Sequence, residues 1–235
     1  MEKNIVNANR SIIPACDVID LSRFEEIVRE THSISKIGGY KISAVLGLKY
    51  SLPEIVQRAR KYTEKPLIYD HQKAGTDIPD TGKDFIRVIK DSGIDALIIF
   101  PLSGPVSQIA WINYANEIGL PIIGGGHMTH KAFIHSDGGY INDDAPEKMY
   151  IVSAENGVTD FVVPGNKPEV IFKIKNSLLN LGISPIFYSP GFISQGGIIS
   201  DAANAAGDNW HAIVGRAIYE SKDIKETVLN LISQL

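Results

Sequence analysis

The chain has 235 residues, with 23 Lys and Arg against 27 Asp and Glu and a net charge of −4. No apolar run approaches the ~20 residues that span a bilayer, and the polar N-terminus lacks the apolar core of a signal peptide. The basic residues are scattered, which argues against a dedicated nucleic-acid binder. A single cysteine, Cys16, excludes an intramolecular disulfide and any multi-cysteine metal site. We therefore expect a cytoplasmic protein that binds neither nucleic acid nor membranes.

Short apolar runs recur along the chain and are bounded by Gly, Pro or Asp. Each run is apolar on both faces, as expected of a parallel strand with a core on one side and helices on the other. The predicted strands are residues 11–15, 36–42, 66–69, 96–100, 121–123, 160–163, 185–188 and 212–214.

Amphipathic stretches lie between these runs. Leu21, Phe24 and Ile27, for example, recur at helical spacing. Strict alternation of strand and helix predicts an α/β fold, a single (β/α)8 TIM barrel with eight parallel strands, over residues 1–235. An open doubly wound sheet is the rival, but no glycine cluster follows the first strand. The predicted helices are residues 20–31, 77–92, 105–118, 144–156, 168–181 and 218–232, with a further one at 198–206.

Charged residues mark the strands where a barrel enzyme carries its functional groups. Asp17 follows the first strand, Lys41 lies within the second and Asp70 ends the third. Lys41 must be paired or face a polar cavity, because burial of an unpaired charge is very costly. Simpler roles remain open, since Asp17 and Asp77 are both suited to capping the helices that follow them.

Glycines after the last two strands predict a phosphate site. Gly196 and Gly197 precede the helix after strand seven, and Gly215-Arg216 precedes the helix after strand eight. Barrel enzymes often bind phosphate between these two loops. Glycine lets the anion approach backbone N–H groups, and an arginine adds a charged clamp. A surface position for Arg216 is the alternative.

The longest irregular stretch, residues 124–144, carries His127, His130 and His135. Its length is typical of an active-site loop or lid. Because no carboxylate joins these histidines at a recognised ligand spacing, we predict no metal site. Trp111 and Trp210 lie on apolar faces and are predicted core residues, as is Cys16.

Several motifs follow one another along the chain: Asp17, Lys41, the order of residues from Asp70 to Thr81, Met128-Thr129-His130, Ser189-Pro-Gly-Phe-Ile-Ser-Gln-Gly-Gly197 and Ile213-Val-Gly-Arg-Ala-Ile-Tyr219. Together they resemble orotidine 5′-phosphate decarboxylase of the archaeal type, and the resemblance spans nearly the whole chain. Met128-Thr129-His130 stands in place of the family's Met-Ser-His.

The resemblance implies decarboxylation of orotidine 5′-monophosphate to UMP without a metal or organic cofactor. Lys73 would stabilise the carbanion at C6 of the pyrimidine and deliver the proton. Asp70 would lie near the leaving carboxylate, and Lys41 and Asp77 would complete an alternating chain of charges. Such an array is in place before the reaction, so little reorganisation is needed as charge develops.

The resemblance also implies a homodimer with shared active sites. In the family the second aspartate comes from the partner subunit, so Asp77, Ile78 and Thr81 would act across the interface. The other implied substrate contacts are Asp17 and Lys41 to the ribose hydroxyls, Thr129 and Gln195 to the base or phosphate, and Gly215 and Arg216 to the phosphate.

One loop departs from the family pattern Asp-x-Lys-x-x-Asp. It has one extra residue before Lys73 and one after it, between Asp70 and Asp77. His71 is therefore an alternative proton donor, and a non-catalytic pyrimidine-nucleotide binding protein is an alternative function. A second alternative is a Mg-dependent sugar-phosphate decarboxylase or aldolase, although Lys41 would repel a cation where those relatives have a carboxylate.

Overall fold

The computed structural model describes residues 4–71, 76–193 and 195–235. Within them, eight strands pair in parallel in the order of the chain, and β1 pairs with β8 to close the barrel. The prediction of a TIM barrel is confirmed. The strands are β1 (Arg10–Cys16), β2 (Tyr40–Ser43), β3 (Leu67–Asp70), β4 (Ala96–Ile99), β5 (Ile122–Gly125), β6 (Asp160–Val162), β7 (Ile186–Ser189) and β8 (Trp210–Val214).

The helices surround the barrel. Neighbouring helices pack on one another as well as on the strands, for example α4 on α5 and α7 on α8. Those in the described residues are α1 (Leu21–Thr31), α2 (Ala44–Tyr50), α3 (Leu52–Ala59), α4 (Thr81–Asp91), α5 (Pro105–Ile118), α6 (Ala145–Glu155), α7 (Pro168–Asn180), α8 (Ile199–Ala206), α9 (Arg216–Tyr219) and α10 (Ile224–Ile232), with a short 3₁₀ turn at His135–Asp137.

Two hydrophobic layers explain why the strands are apolar on both faces. Alternate strand residues fill the barrel interior, among them Ile13, Ile68, Ile98, Ile123 and Ile213. Their neighbours along each strand face the helices and form the larger outer layer. Full burial of one such side chain contributes about 1.5–3 kcal/mol. The core therefore selects β-branched residues with no polar face.

The predicted core residues are confirmed. Trp111 and Trp210 are fully buried, and Cys16 is a buried free thiol. Burial raises the pKa of Cys16, so the thiol stays protonated and packs as an apolar group.

Two predicted elements start later than expected. The strand predicted at residues 36–42 is Tyr40–Ser43, because Gly38 and Gly39 interrupt the run before it. The helix predicted at residues 77–92 begins at Thr81. Pro79 disfavours the helical conformation for the residue before it. The N-cap position is Asp80, so the alternative role of Asp77 as helix cap is wrong.

Other helices were predicted incompletely. The helix predicted at residues 218–232 is two helices, because Asp223 caps the start of α10 by accepting from Glu226 N–H at 2.9 Å. Helix α2 was not predicted, although Ser43 caps it in the same way. The alternative role of Asp17 as helix cap is also wrong, since Asp20 holds the N-cap position of α1.

No helix in the described part of the chain has the length and apolar character needed to cross a membrane.

A polar network crosses the lower part of the barrel interior. His211 Nδ1 lies 2.8 Å from Ser11 Oγ, and its ring lies 4.8 Å from that of Tyr188. The Tyr188 hydroxyl donates to Asp160 at 2.8 Å. Burial lowers the pKa of His211 to about 4, because the imidazolium form would lose its hydration.

We expect His211 to make the stability of the fold depend on pH. Its folded pKa is below the unfolded value, so the unfolded chain binds more protons and stability falls as pH falls through the window from about 6.5 to about 4. Between pH 7 and pH 5 the wild type should lose about 2 kcal/mol more than the variant His211→Asn, which keeps a polar group without titrating. Urea unfolding at both pH values measures the difference, and equal losses would contradict the assignment.

Candidate active site

A cavity of about 600 Å³ opens at the carboxyl ends of the strands. This is the end at which barrel enzymes carry their functional residues. The residues that line it are Ala15, Asp17, Lys41, Asp70, His127, Met128, Thr129, His130, Val162, Pro190, Gly191, Phe192, Gln195, Ile213, Gly215, Arg216 and Tyr219.

Lys41 links two carboxylates at this cavity. Its Nζ donates to Asp17 Oδ1 at 2.9 Å and to Asp70 Oδ2 at 2.5 Å. The side chains of Lys41 and Asp70 are 4% and 1% exposed. Burial disfavours the ammonium form, but Asp70 and Asp17 outweigh it and raise the pKa of Lys41 above its ordinary value. Lys41 is therefore a fixed positive charge at any physiological pH.

Strand register brings these three residues together. Lys41 pairs with Ala15 of β1, two residues before Asp17, and Asp70 pairs with Ser43 of β2. Because side chains alternate along a strand, Lys41 points into the barrel while its apolar neighbours pack outward. Lys41 has apolar neighbours in the sequence, because its charged partners come from the ends of the adjacent strands.

The end of β8 forms a second wall of the cavity. Gly215 lies beside the Tyr219 ring and Ala15, where an added Cβ would stand 3.4 and 3.5 Å from them. Arg216 begins α9 and is exposed at the rim of the cavity. An exposed guanidinium beside a glycine-containing turn is suited to bind an anionic group.

The loop after β5 reaches the cavity at its start. His127 N–H donates to the Tyr150 hydroxyl at 3.0 Å, and that hydroxyl donates to Val162 O at 2.7 Å. Gly126 permits this approach, because a Cβ there would stand 2.7 Å from Pro146 O. These contacts fix the position from which Thr129 enters the cavity. The prediction that the stretch 124–144 supplies an active-site loop is supported for its first residues.

Asn166 connects this loop to the loop after β7. Its amide donates to Thr129 O at 3.0 Å and more weakly to Gln195 O at 3.5 Å. Gly191 has a positive φ of 108° and lies against Thr129, where a Cβ would stand 2.9 Å from the threonine methyl. Phe192 packs edge-on against Trp210. Thr129 and Gln195 are thus held on neighbouring loops.

The structure brings together seven of the predicted site residues in one cavity: Asp17, Lys41, Asp70, Thr129, Gln195, Gly215 and Arg216. Lys73 lies outside the described residues. Three others, Asp77, Ile78 and Thr81, are exposed and are not among the described residues that line this cavity. Their segment is held against α5 instead, where Trp111 Nε1 donates to Ile78 O at 3.2 Å.

His71 faces away from the cavity. Its ring centroid lies 5.7 Å from that of Tyr69 and 4.3 Å from that of Phe85, which in turn stacks on Trp111. Burial lowers the pKa of His71, so the ring is neutral in this aromatic stack. The alternative role of His71 as proton donor in place of Lys73 is therefore not supported by its position.

Three lining or supporting residues were missed in the sequence. His127 was considered only as a possible metal ligand within the predicted loop, Tyr219 only as part of a motif, and Asn166 was not singled out. The signals available in the sequence were the glycines that precede His127 and the polar residue Asn166 after β6. Among the described residues, no group of three or more His, Cys, Asp and Glu is placed to hold a metal ion.

We expect the charge of Lys41 to contribute strongly to the free energy of unfolding of the protein. Lys41→Met leaves a buried carboxylate without one of its cationic neighbours, and such changes cost about 3–5 kcal/mol. Asp70→Asn in the same background should recover part of this loss, since it removes the buried charge. Urea unfolding of the two single variants and the double variant measures the coupling.

The matched control is Lys49→Met, an exposed lysine 3.4 Å from Asp20. It should change stability by less than about 0.5 kcal/mol. A Lys41→Met variant as stable as the wild type, or no recovery with Asp70→Asn, would show that the carboxylates do not depend on Lys41.

Comparison with known proteins places this chain in a family. Residues 10–231 match the family described as Orotidine 5′-phosphate decarboxylase / HUMPS family. The orotidine 5′-phosphate decarboxylase of Thermoplasma acidophilum is 30% identical over 213 residues, 90% of this chain and 89% of that protein. That of Pyrococcus abyssi is 28% identical over 226 residues, 95% and 98% of the two chains.

Solved structures agree with this assignment. The crystal structure of orotidine 5′-monophosphate decarboxylase from Methanocaldococcus jannaschii, complexed with inhibitor BMP, is similar with a TM-score of 0.83 and 25% identity, covering 96% of this chain and 98% of that one. The enzyme from Pyrococcus horikoshii gives a TM-score of 0.77 and 27% identity, covering 95% and 98%. Because the family model matches residues 10–231, the chain belongs to the Orotidine 5′-phosphate decarboxylase / HUMPS family.

Proposed function

We propose that this protein is a carboxy-lyase that converts orotidine 5′-monophosphate to UMP. The observation that carries the proposal is the chain of charges Asp17–Lys41–Asp70 in a cavity that Arg216 also lines. The relatives reported above are all named orotidine 5′-phosphate decarboxylases. Membership in the family and the arrangement of charge together support this reaction over others that the barrel could host.

The proposed chemistry breaks the bond between C6 and the carboxylate, and the electron pair stays on C6. Lys73 then transfers a proton from its ammonium group to C6 and is reprotonated from solvent. Asp70 lies near the leaving carboxylate of the substrate. Its negative charge repels that carboxylate until CO₂ departs. Lys41 holds Asp70 in place, so the field at C6 exists before the reaction begins.

The remaining cavity residues bind the rest of the nucleotide. Asp17 and Lys41 accept from and donate to the ribose hydroxyls, while Gly215 and Arg216 hold the phosphate. Thr129 and Gln195 contact the base or bridge to the phosphate from their neighbouring loops. The phosphate contacts are remote from C6, yet binding energy there can be used to hold the reacting groups together.

We propose that the reaction needs no metal and no organic cofactor. A divalent cation held for catalysis would need carboxylates directed at it, and here the buried Asp70 and the partly exposed Asp17 already contact Lys41. The lysine ammonium would repel a cation in that place. The same charge separates this proposal from a Mg-dependent sugar-phosphate decarboxylase or aldolase.

We further propose that the active protein is a homodimer whose sites are shared. Asp77, Ile78 and Thr81 stand exposed beside an apolar surface on α5 and the loop before it. Ile78 is 58% exposed and Val106 is 72% exposed, with Leu102 and Ile109 nearby in the chain. Where exposed apolar side chains form one patch, they favour a protein interface. A second copy would cover this surface and receive Asp77 at its own cavity.

The direct test is decarboxylation of orotidine 5′-monophosphate, followed by absorbance, in the presence of EDTA. We expect full turnover under chelation, because no step of the proposed chemistry uses a metal. Loss of turnover with EDTA that Mg²⁺ restores would favour the sugar-phosphate enzymes instead. UMP binding without turnover would favour a nucleotide-binding protein, and calorimetry with UMP on the same sample distinguishes the two.

Shared sites predict complementation between inactive variants. Lys73→Ala and Asp77→Ala should each remove nearly all turnover, since one lacks the proton donor and the other the partner carboxylate. Random subunit exchange between equal amounts should restore about a quarter of wild-type activity, because half of the dimers are mixed and each mixed dimer has one intact site. Absence of recovery, after exchange has been verified with tagged subunits, would contradict the shared site.

A further inference from the structure

The turn that carries Gly215 and Arg216 has little stability of its own. Helix α9 is only four residues long, Arg216–Tyr219. A helix of this length does not persist without tertiary support, and its last carbonyl groups have no partners further along the helix. The contacts that hold Tyr219 and the residues after it therefore set the position of Arg216.

Arg23 of α1 provides this support. Its Nε donates to Tyr219 O at 3.0 Å, and its Nη2 donates to Tyr219 O at 2.8 Å and to Ser221 O at 2.7 Å. Three charge-assisted hydrogen bonds thus converge on the carboxyl end of α9. The planar guanidinium makes all three in one rigid arrangement, which a lysine ammonium cannot reproduce.

The helix dipole of α1 does not favour an arginine at the position of Arg23. It lies in the first turn of α1, where the helix dipole is positive and acidic residues are preferred, and α1 has none in that turn. The carbonyl groups at the end of α9 present the opposite partial charge. Glu26 accepts from Nη1 at 2.6 Å and so holds the other edge of the guanidinium.

The contact between Arg23 and Tyr219 connects α1 to the cavity. The Tyr219 carbonyl is bound by Arg23, while the Tyr219 ring lies against Gly215 and lines the cavity. A shift at the end of α9 would therefore move both the ring and the start of the helix, where Arg216 stands.

We propose that Arg23 is a positioning residue for phosphate binding: it holds α9 so that Gly215 and Arg216 meet the substrate phosphate. This inference rests on the proposed function of the same cavity. Arg23 acts through the backbone of α9, so its removal should weaken what Arg216 contributes and little else.

The test is a double-mutant cycle in kcat/KM for orotidine 5′-monophosphate, using Arg23→Met and Arg216→Ala. Arg23→Met should lower kcat/KM by about 10- to 100-fold, as expected when a reactive geometry is displaced by a remote change. In the Arg216→Ala background the same substitution should have less than about a threefold effect, because the charged contact that Arg23 positions is already gone. Arg23→Lys keeps the positive charge but loses the planar guanidinium. Its kcat/KM should therefore lie between those of the wild type and Arg23→Met.

The matched control is Arg29→Met, an exposed arginine of the same helix that pairs with Glu30. It should leave kcat/KM unchanged, and thermal unfolding should show that each variant is folded. If Arg23→Met does not fold, the cycle is made with Arg23→Lys. Wild-type activity in the Arg23 variant, or an equal loss with and without Arg216, would overturn the inference.

Failure of the proposed function gives a different result. A wild type that binds UMP but does not decarboxylate the substrate overturns the reaction, and the same cycle is then measured as UMP affinity by calorimetry. A wild type that does neither overturns both the function and the positioning role.

Discussion

The arrangement of this site depends on one buried cation. Lys41 is almost completely shielded from water and contacts Asp17 and Asp70. A lysine in such a place is tolerated only when opposite charges surround it, and the buried carboxylate of Asp70 is in turn stabilised by the lysine. The charges of the three groups therefore stabilise one another, which holds them in fixed positions at the cavity. A preformed field of this kind is what a reaction that develops charge on carbon requires.

The closed barrel makes this cluster possible. Parallel strands present all their carboxyl ends at one rim, so residues far apart in the chain meet there without any local contact between them. The interior below is filled by branched apolar side chains and by the His211 network, which leaves the upper end as the polar opening. The strands supply rigid positions, while loops after β5, β7 and β8 supply groups that can adapt to a ligand.

Support for the loops comes from outside the cavity. Tyr150 anchors the start of the loop after β5, Asn166 connects it to the loop after β7, and Arg23 holds the short helix after β8. Each of these residues binds backbone atoms, so each sets the course of a loop while leaving its side chains available. After β3, His71 packs on Phe85, and Ile78 O accepts a hydrogen bond from Trp111.

The sequence by itself determined the barrel and seven of the residues that line its cavity. Alternating apolar runs and amphipathic stretches are local patterns, and strand-end charges such as Asp17, Asp70 and Arg216 follow from them once the strands are known to be parallel. Only the tertiary structure decided which charges pair, where the last helix divides, and that His71 turns away from the cavity. It also revealed Arg23, which contacts Tyr219 across 196 positions of the chain. Such contacts join residues whose local patterns carry no sign of each other, because the energy that selects them arises only after the barrel has closed.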